Sequence, residues 1–378
     1  MYQATILGTG KIGAIIAKFL HHSGDYDIWV GDRDVEALER LRASVPVNTF
    51  VIDATDEAAL AEKLEGQDCV VSACPYWVNS GIARAAAKAG VSYFDLTEDI
   101  ETTCAVRAVA ATAPEGLIFA PQCGLAPGFI GILAHHLCQG FEKLDEVKMR
   151  VGALPQYPSN MMMYNLTWST KGLVNEYCNP CDAIQDGRKI EAIPLKEVEH
   201  FSLDGVNYEA FNTSGGLGTL CETLEGQVRT LNYKTVRYPG HHQFMEFLTQ
   251  ELRLSQRREL LEDILENAIP TTQQDVIIIF CTVTGWRNGQ LTQVSDTRKI
   301  YPLNFQGETW TAIQVTTAAS VCAVLDLYLH GKIRQSGFLK QEQINLDDFL
   351  GNRFGRYYLE NSQLMNNGYP QLEYQPVS

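Results

Sequence analysis

The stretch Ala4-Thr5-Ile6-Leu7-Gly8-Thr9-Gly10-Lys11-Ile12-Gly13 decides the fold. Ala4–Leu7 is strand-like and runs directly into glycines. A helical period then begins at Ile12, continues to His22 and stops at Gly24. In a strand-to-helix turn of this kind each glycine has its own task. Gly8 permits the tight turn, Gly10 lets a ligand approach the backbone, and Gly13 lets helix and strand pack closely. Asp27–Val30 reads as the next strand, and Asp32 stands at its end, about 20 residues beyond the glycines. Three glycines alone are common in turns. With a strand before them, a helix after them and Asp32 at that distance, they form a dinucleotide site.

The same rhythm continues outward. Asn48–Ile52, Cys69–Ala73, Ser92–Asp95 and Leu117–Ala120 read as strands; Val35–Ser44, Glu57–Glu65, Val78–Ala89 and Glu101–Thr112 read as the helices between them. Short apolar strands alternating with helices predict βαβ units around a buried parallel sheet. After Gly124 the pattern changes. Pro127 and Gly128 punctuate the chain, Phe129–Gln139 opens a new unit as a helix, and strands dominate from Asp145. Val276–Thr284 and Leu291–Ile300 read as a hairpin around Trp286-Arg287-Asn288-Gly289, and Ala312–Leu329 is a strongly apolar helix. The expected fold class is α/β, a Rossmann-type doubly wound parallel sheet plus an inserted α/β substrate and dimerisation domain with a mixed sheet. The expected domains are 1–122 with 311–350, then 123–310, then a polar tail at 357–378.

The 378 residues carry 45 acidic and 30 basic side chains, a formal net charge of −15. That balance excludes a basic face for nucleic acid and a polybasic membrane surface. No apolar run approaches the roughly 18–20 residues that span a bilayer, and the N-terminus lacks a signal-peptide pattern. Ten scattered cysteines contain a single CxxC, Cys178 and Cys181, so neither a disulfide scaffold nor a metal site is expected. A cytoplasmic protein with reduced thiols is the expectation.

Within the dinucleotide site the expected contacts are Gly8, Gly10, Lys11, Ile12 and Gly13 on the loop and helix start, and Asp32 on the ribose hydroxyls. Asp32 favours NAD, because its carboxylate repels the 2′-phosphate of NADP; Arg33 keeps NADP open. Asp53 lies where the adenine end reaches, with helix capping as its alternative role. Cys74 and Pro75, at the end of the fourth strand, are expected near the pyrophosphate or nicotinamide ribose.

Four further segments carry a resemblance: FDLTED (Phe94–Asp99), CGLAPGF (Cys123–Phe129), YNLTWSTKGLVNEYCNP (Tyr164–Pro180) and LNYKTVRYPGHH (Leu231–His242). With them the chain resembles the saccharopine dehydrogenase superfamily, and the lysine 6-dehydrogenases within it most closely. The resemblance implies hydride transfer from the amine-bearing carbon of an amino acid to a nicotinamide cofactor, followed by hydrolysis of the imine. It implies a small-molecule amino-acid substrate and a homodimer.

The candidate residues follow. Asp95 ends the fifth strand, where ligands collect in an open α/β sheet, with Glu98 in the same loop. Either is a candidate for base or ammonium holder; Asp99 suits capping of the next helix. The resemblance places Cys123 near the substrate as acid or base, and core packing is its alternative. Arg237 is the candidate grip for an α-carboxylate through two parallel hydrogen bonds, against an inter-domain ion pair. His241 or His242 is the candidate base for hydrolysis. Tyr164 and Trp168 are candidate walls for the aliphatic stem, with apolar packing as their default.

Overall fold

The computed structural model describes residues 1–359. From residue 360 on, the expected polar tail lies outside the described residues. The chain divides into two compact units, Met1–Ile132 with Thr316–Tyr357, and Leu133–Val315 with Tyr358. Both crossings fall inside helices, Phe129–Cys138 and Ala312–Leu329.

In the first unit, strands β1 (Tyr2–Leu7), β2 (Tyr26–Asp32), β3 (Asn48–Val51), β4 (Cys69–Ser72), β5 (Ser92–Asp95) and β6 (Ile118–Ala120) alternate with helices α1 (Lys11–Ser23), α2 (Val35–Ser44), α3 (Glu57–Leu64), α4 (Tyr76–Ala89) and α5 (Ile100–Thr112). The sheet order is β3-β2-β1-β4-β5-β6, with the short strand Gly337–Phe338 beyond β6, and every pairing is parallel. This is the doubly wound order whose direction reverses between β1 and β4, the place where such sheets bind ligands. Every residue of β4 and β5 is buried, as expected for strands covered on both faces. Leu7, Val70, Tyr93 and Phe119 from the sheet pack with Ile82 and Ala86 of α4.

Helix starts in this unit are of two kinds. Asp34, Asp56 and Asp99 cap α2, α3 and α5, each accepting from a backbone N–H in the first turn. Helix α1 starts at Gly10 with no side-chain cap, so its terminal amides are left to another acceptor. The late segment is tied in by Asp326, whose carboxylate accepts from the Tyr26 hydroxyl at 2.7 Å, Asn352 Nδ2 at 2.7 Å and Arg353 Nη2 at 2.6 Å.

The helix Ala312–Leu329 requires a correction. Its 18 residues have a mean hydropathy of 1.5, long and apolar enough by length and composition to cross a membrane. Of this helix 72% is buried, the state of a core helix.

The second unit begins in α6 (Phe129–Cys138) and is built on a mixed sheet. Its strands are β7 (Lys143–Pro155), β8 (Cys181–Gln185), β9 (Arg188–Ala192), β10 (Glu199–Leu203), β11 (Val206–Asn212), β12 (Thr230–Arg237), β13 (Asp275–Arg287) and β14 (Gln290–Ile300). The order is β10-β11-β12-β7-β13-β14, with β8 on β12 and β9 on β8; only β12 and β7 run parallel. The long hairpin β13–β14 turns on Asn288 (φ 52°) and Gly289 (φ 72°), the two left-handed residues that a tight primed turn needs. Helices α7 (Thr170–Cys178), α8 (Leu220–Leu224), α9 (His241–Glu246) and α10 (Arg258–Ala268) complete the unit. Tyr164, Leu173, Tyr177, Phe211, Met245, Leu261 and Leu265 form a core here, and two of its aromatic rings, Tyr164 and Tyr177, flank the buried Arg237.

Candidate active site

The glycine loop has the shape its sequence implies. Gly8 has φ +99°, and a Cβ there would meet the Ala73 carbonyl oxygen at 2.9 Å. A Cβ on Gly13 would collide with the Gly8 carbonyl, whereas around Gly10 nothing lies within 4 Å. Two glycines are therefore required by packing, and the third opens the loop. Asp32 Oδ2 accepts from the Thr9 N–H and the Thr9 hydroxyl, both at 2.6 Å, and Oδ1 accepts from the Asp34 N–H at 2.9 Å. Partial burial raises the carboxyl, but the Thr9 hydroxyl and the backbone N–H groups outweigh it and hold it below the ordinary range. The Arg33 N–H is a fourth donor, so the roughly four acceptor positions of the carboxylate are taken and a ribose hydroxyl has to share one of its oxygens with these donors. The loop, the uncapped helix start and the ionised Asp32 fit a dinucleotide.

The remaining cofactor candidates lie close by with different roles. Lys11 and Arg33 are exposed and Ile12 is half-buried. Asp53 is fully exposed and accepts from the Thr55 N–H and hydroxyl, while Asp56 caps α3. The capping alternative for Asp53 is thus taken by its neighbour. Cys74 is half-buried and its thiol is pushed up to about 11 by burial; Pro75 is the residue before α4.

Asp95 ends β5 but turns inward. Its fully buried carboxylate accepts from the Tyr93 hydroxyl at 2.7 Å, the Thr97 N–H at 2.9 Å and the Gln122 N–H at 3.0 Å. It braces two loops, and burial pushes it up to about 6. Glu98, half-buried in the same loop, is also raised, first by burial and then by Asp99 and Asp95. Asp99 caps α5, accepting from the Thr102 N–H at 2.7 Å. Cys123 is fully buried, its sulfur 3.1 Å from the Ala120 carbonyl and accepting from Gln341 Nε2 at 3.2 Å. Burial holds that thiol well above its usual range, so it is a neutral group and not a thiolate.

In the second unit Arg237 ends β12, is 2% exposed, and stands in a shell of aromatic rings. Its guanidinium lies over Tyr164, 4.9 Å from the ring centroid, and 5.8 Å from that of Tyr177. Nε donates to the Tyr177 hydroxyl at 2.9 Å and Nη1 to the Val236 carbonyl at 2.9 Å. The other buried arginines of this unit pair with acids, Arg150 with Glu199 and Arg298 with Asp296. Arg237 has no carboxylate partner among the described residues; buried Glu176 acts on it only through space.

His241 is fully buried, with Nδ1 2.9 Å from the Met162 carbonyl and Nε2 3.1 Å from the Tyr177 hydroxyl. Burial, reinforced by Arg237, pushes it down to about 3, so the ring is neutral. With both nitrogens engaged and no solvent exposure, His241 is no base for a hydrolytic water. His242 Nε2 likewise meets the Leu195 carbonyl at 2.5 Å. Tyr164 faces Arg237 and His241, whereas Trp168 packs over Gly172 of α7 and belongs to the core.

Comparison with known proteins identifies the family. Residues 4–119 match the profile of the saccharopine dehydrogenase NADP binding domain, and residues 124–354 that of the saccharopine dehydrogenase C-terminal domain. The chain belongs to the saccharopine dehydrogenase family. It is 20% identical over 390 residues to the mouse alpha-aminoadipic semialdehyde synthase, covering 96% of this chain and 40% of that protein. It is 22% identical over 266 residues to the Saccharomyces cerevisiae saccharopine dehydrogenase [NADP(+), L-glutamate-forming], covering 64% of this chain and 56% of the other. The chain thus spans about two-fifths of the length of the mouse relative. The solved apo saccharopine dehydrogenase (L-Glu forming) from Saccharomyces cerevisiae shares the fold, with a TM-score of 0.76 at 16% identity over 97% of this chain and 98% of the other.

Three residues of this saccharopine dehydrogenase family chain escape sequence reading. Thr9, inside the glycine motif, ties Asp32 to the loop. Gln341, from the late segment, bonds the Cys123 sulfur, a contact between residues far apart in sequence. Tyr177 stands inside a quoted segment, yet only the structure shows it bridging Arg237 and His241.

Proposed function

We propose that this saccharopine dehydrogenase family member oxidises the amine-bearing ε-carbon of L-lysine, or of a close lysine derivative, with NAD as hydride acceptor. The observation that carries this reading is Arg237, a buried guanidinium without a carboxylate partner among the described residues. Burying a cation is costly, and a carboxylate supplied by the substrate gives Arg237 the direct ionic partner that Glu176, acting through space, does not. Nη2 and the free edge of the fork suit one such group. Because Arg150 and Arg298 already pair with acids, the second unit offers one buried arginine for one carboxylate. That count favours a lysine-sized substrate.

When bound, the dinucleotide supplies the hydride acceptor; Gly8–Gly13 and Asp32 hold it. The amine must enter the reaction neutral, since an ammonium has no lone pair to give the developing imine. With a free lysine pKa of about 10.4, supplying that form at pH 7 costs about 4–5 kcal/mol. Glu98, half-buried and raised above the ordinary carboxylate range, suits the acceptance of that proton. Similarity to the saccharopine dehydrogenases favours a second reading, oxidation of the secondary amine of saccharopine, a larger substrate with further carboxylates.

Turnover decides between them. NADH formation is measured with L-lysine, L-ornithine, saccharopine and 1,5-diaminopentane at pH 7 and pH 10. L-Lysine is expected to turn over, faster at pH 10, with the diamine far weaker in KM. Saccharopine turnover with none for lysine overturns the first reading in favour of the second. The ionised Asp32 further predicts tighter NADH than NADPH binding, with Asp32→Asn narrowing the ratio about tenfold. Preference for NADPH in the unmodified protein would refute the NAD assignment.

A further inference from the structure

We propose that Tyr177 and His241 are positioning residues that fix the direction in which Arg237 offers its charge to a carboxylate. The proposal rests on the reading of Arg237 as the carboxylate grip and adds how that grip is aimed.

The proton order in this cluster follows from what each atom can do. The Met162 carbonyl only accepts, so the 2.9 Å contact requires a proton on His241 Nδ1. In a neutral imidazole Nε2 is then bare, and at 3.1 Å it accepts from the Tyr177 O–H. With its proton committed, the Tyr177 oxygen presents its lone pairs to Arg237 Nε at 2.9 Å. The Val236 carbonyl takes Nη1 at 2.9 Å, so the fork is held at two nitrogens and Nη2 is left for a ligand. The opposite order fails. A protonated His241 would donate from Nε2 into the same phenol oxygen that Arg237 uses, and would set two cations on one hydroxyl.

The surroundings keep this order in place. Tyr164 stands 5.1 Å from the His241 ring and the Phe211 ring is stacked on it at 6.4 Å. Neither Tyr177 nor His241 exposes more than 1% of its surface. The orientation of Arg237 is therefore set by a chain that begins at a backbone carbonyl, ahead of any ligand. Preorganisation of this kind lowers the cost of ordering a long side chain on binding.

Steady-state kinetics with L-lysine and 1,5-diaminopentane, which lacks the carboxylate, test the proposal. Tyr177→Phe keeps the ring and removes the hydroxyl. It is expected to raise KM for L-lysine about tenfold, with far smaller changes in kcat, in KM for the diamine and in NADH affinity. His241→Gln, which keeps an acceptor near the Nε2 position, is expected to lose less than His241→Leu. An unchanged KM for L-lysine in Tyr177→Phe, or an equal rise for both substrates, overturns the proposal. A second readout needs no turnover. Nitrogen-15 NMR of histidine is expected to show His241 as the neutral Nδ1–H tautomer from pH 5 to 8, with Nε2 shifted in Tyr177→Phe. A protonated ring or the Nε2–H tautomer refutes the relay. If the unmodified protein treats L-lysine and the diamine alike, the carboxylate role of Arg237 fails, and the NMR result still decides the proton order.

Discussion

At Asp95 a carboxylate that ends a strand became a brace. Its position at the carboxyl end of β5 matches that of a catalytic residue, but three internal donors claim it and no surface is left. Burial raises the group to about 6 from an ordinary value of about 3.9. The folded state therefore binds the proton more tightly than the unfolded state. The stabilisation from this linkage is complete below about pH 4 and is lost as pH rises through 6. Relative to Asp95→Asn, the unmodified protein should gain stability between pH 7.5 and pH 4.5, by about 2 kcal/mol, in urea unfolding followed by fluorescence. A difference that stays constant with pH would show that Asp95 titrates normally. Sequence could not separate these roles, because a strand-end acid reads the same whether it faces a cleft or its own loop. The same holds for Cys123 and His241, whose surroundings come from residues far along the chain such as Gln341 and Met162. Arg237 was legible as a candidate because it stands in the segment Leu231–His242 that carries the resemblance, although its aromatic shell was not.

At the scale of elements, the turn from β1 into α1 shows how much local pattern can specify. Its glycines, the strand before and the helix after were all readable, because each is a short-range steric requirement. The structure separates their tasks more sharply. Gly13→Ala drives a Cβ into the Gly8 carbonyl, so α1 must move away from β1, at a cost of about 1–3 kcal/mol and with weaker dinucleotide binding. Gly10→Ala meets open space, so its melting temperature should hold while NADH affinity falls, because the new methyl occupies the ligand's approach. Thermal melts and NADH fluorescence titrations of the two variants check this, and equal melting temperatures would contradict it. The hairpin β13–β14 was equally legible, since Asn288-Gly289 names its turn. The mixed sheet order was not, because β12 pairs with β7 across a long stretch of chain and no local signal encodes that pairing.

At the scale of the whole molecule, the first unit is assembled from two separated segments. Residues 316–357 give it the edge strand on β6, the Ser92–Tyr328 hydroxyl pair at 2.7 Å, the Asp326 clasp and the ring of Phe349 against Phe129. A fragment of residues 1–132 is therefore expected to lack cooperative melting by circular dichroism. Joining 316–357 to it through a short linker should restore melting and NADH binding. A fragment that melts cooperatively by itself would show the late segment to be dispensable. The distribution of sulfur offers a practical return from the same architecture. Of ten cysteines, Cys104 on α5 is the one exposed, Cys74 and Cys178 are half-buried, and the others are enclosed by packing. A maleimide dye added below one equivalent should therefore collect at Cys104, providing an optical reporter a few residues beyond Glu98 with no cysteine removed.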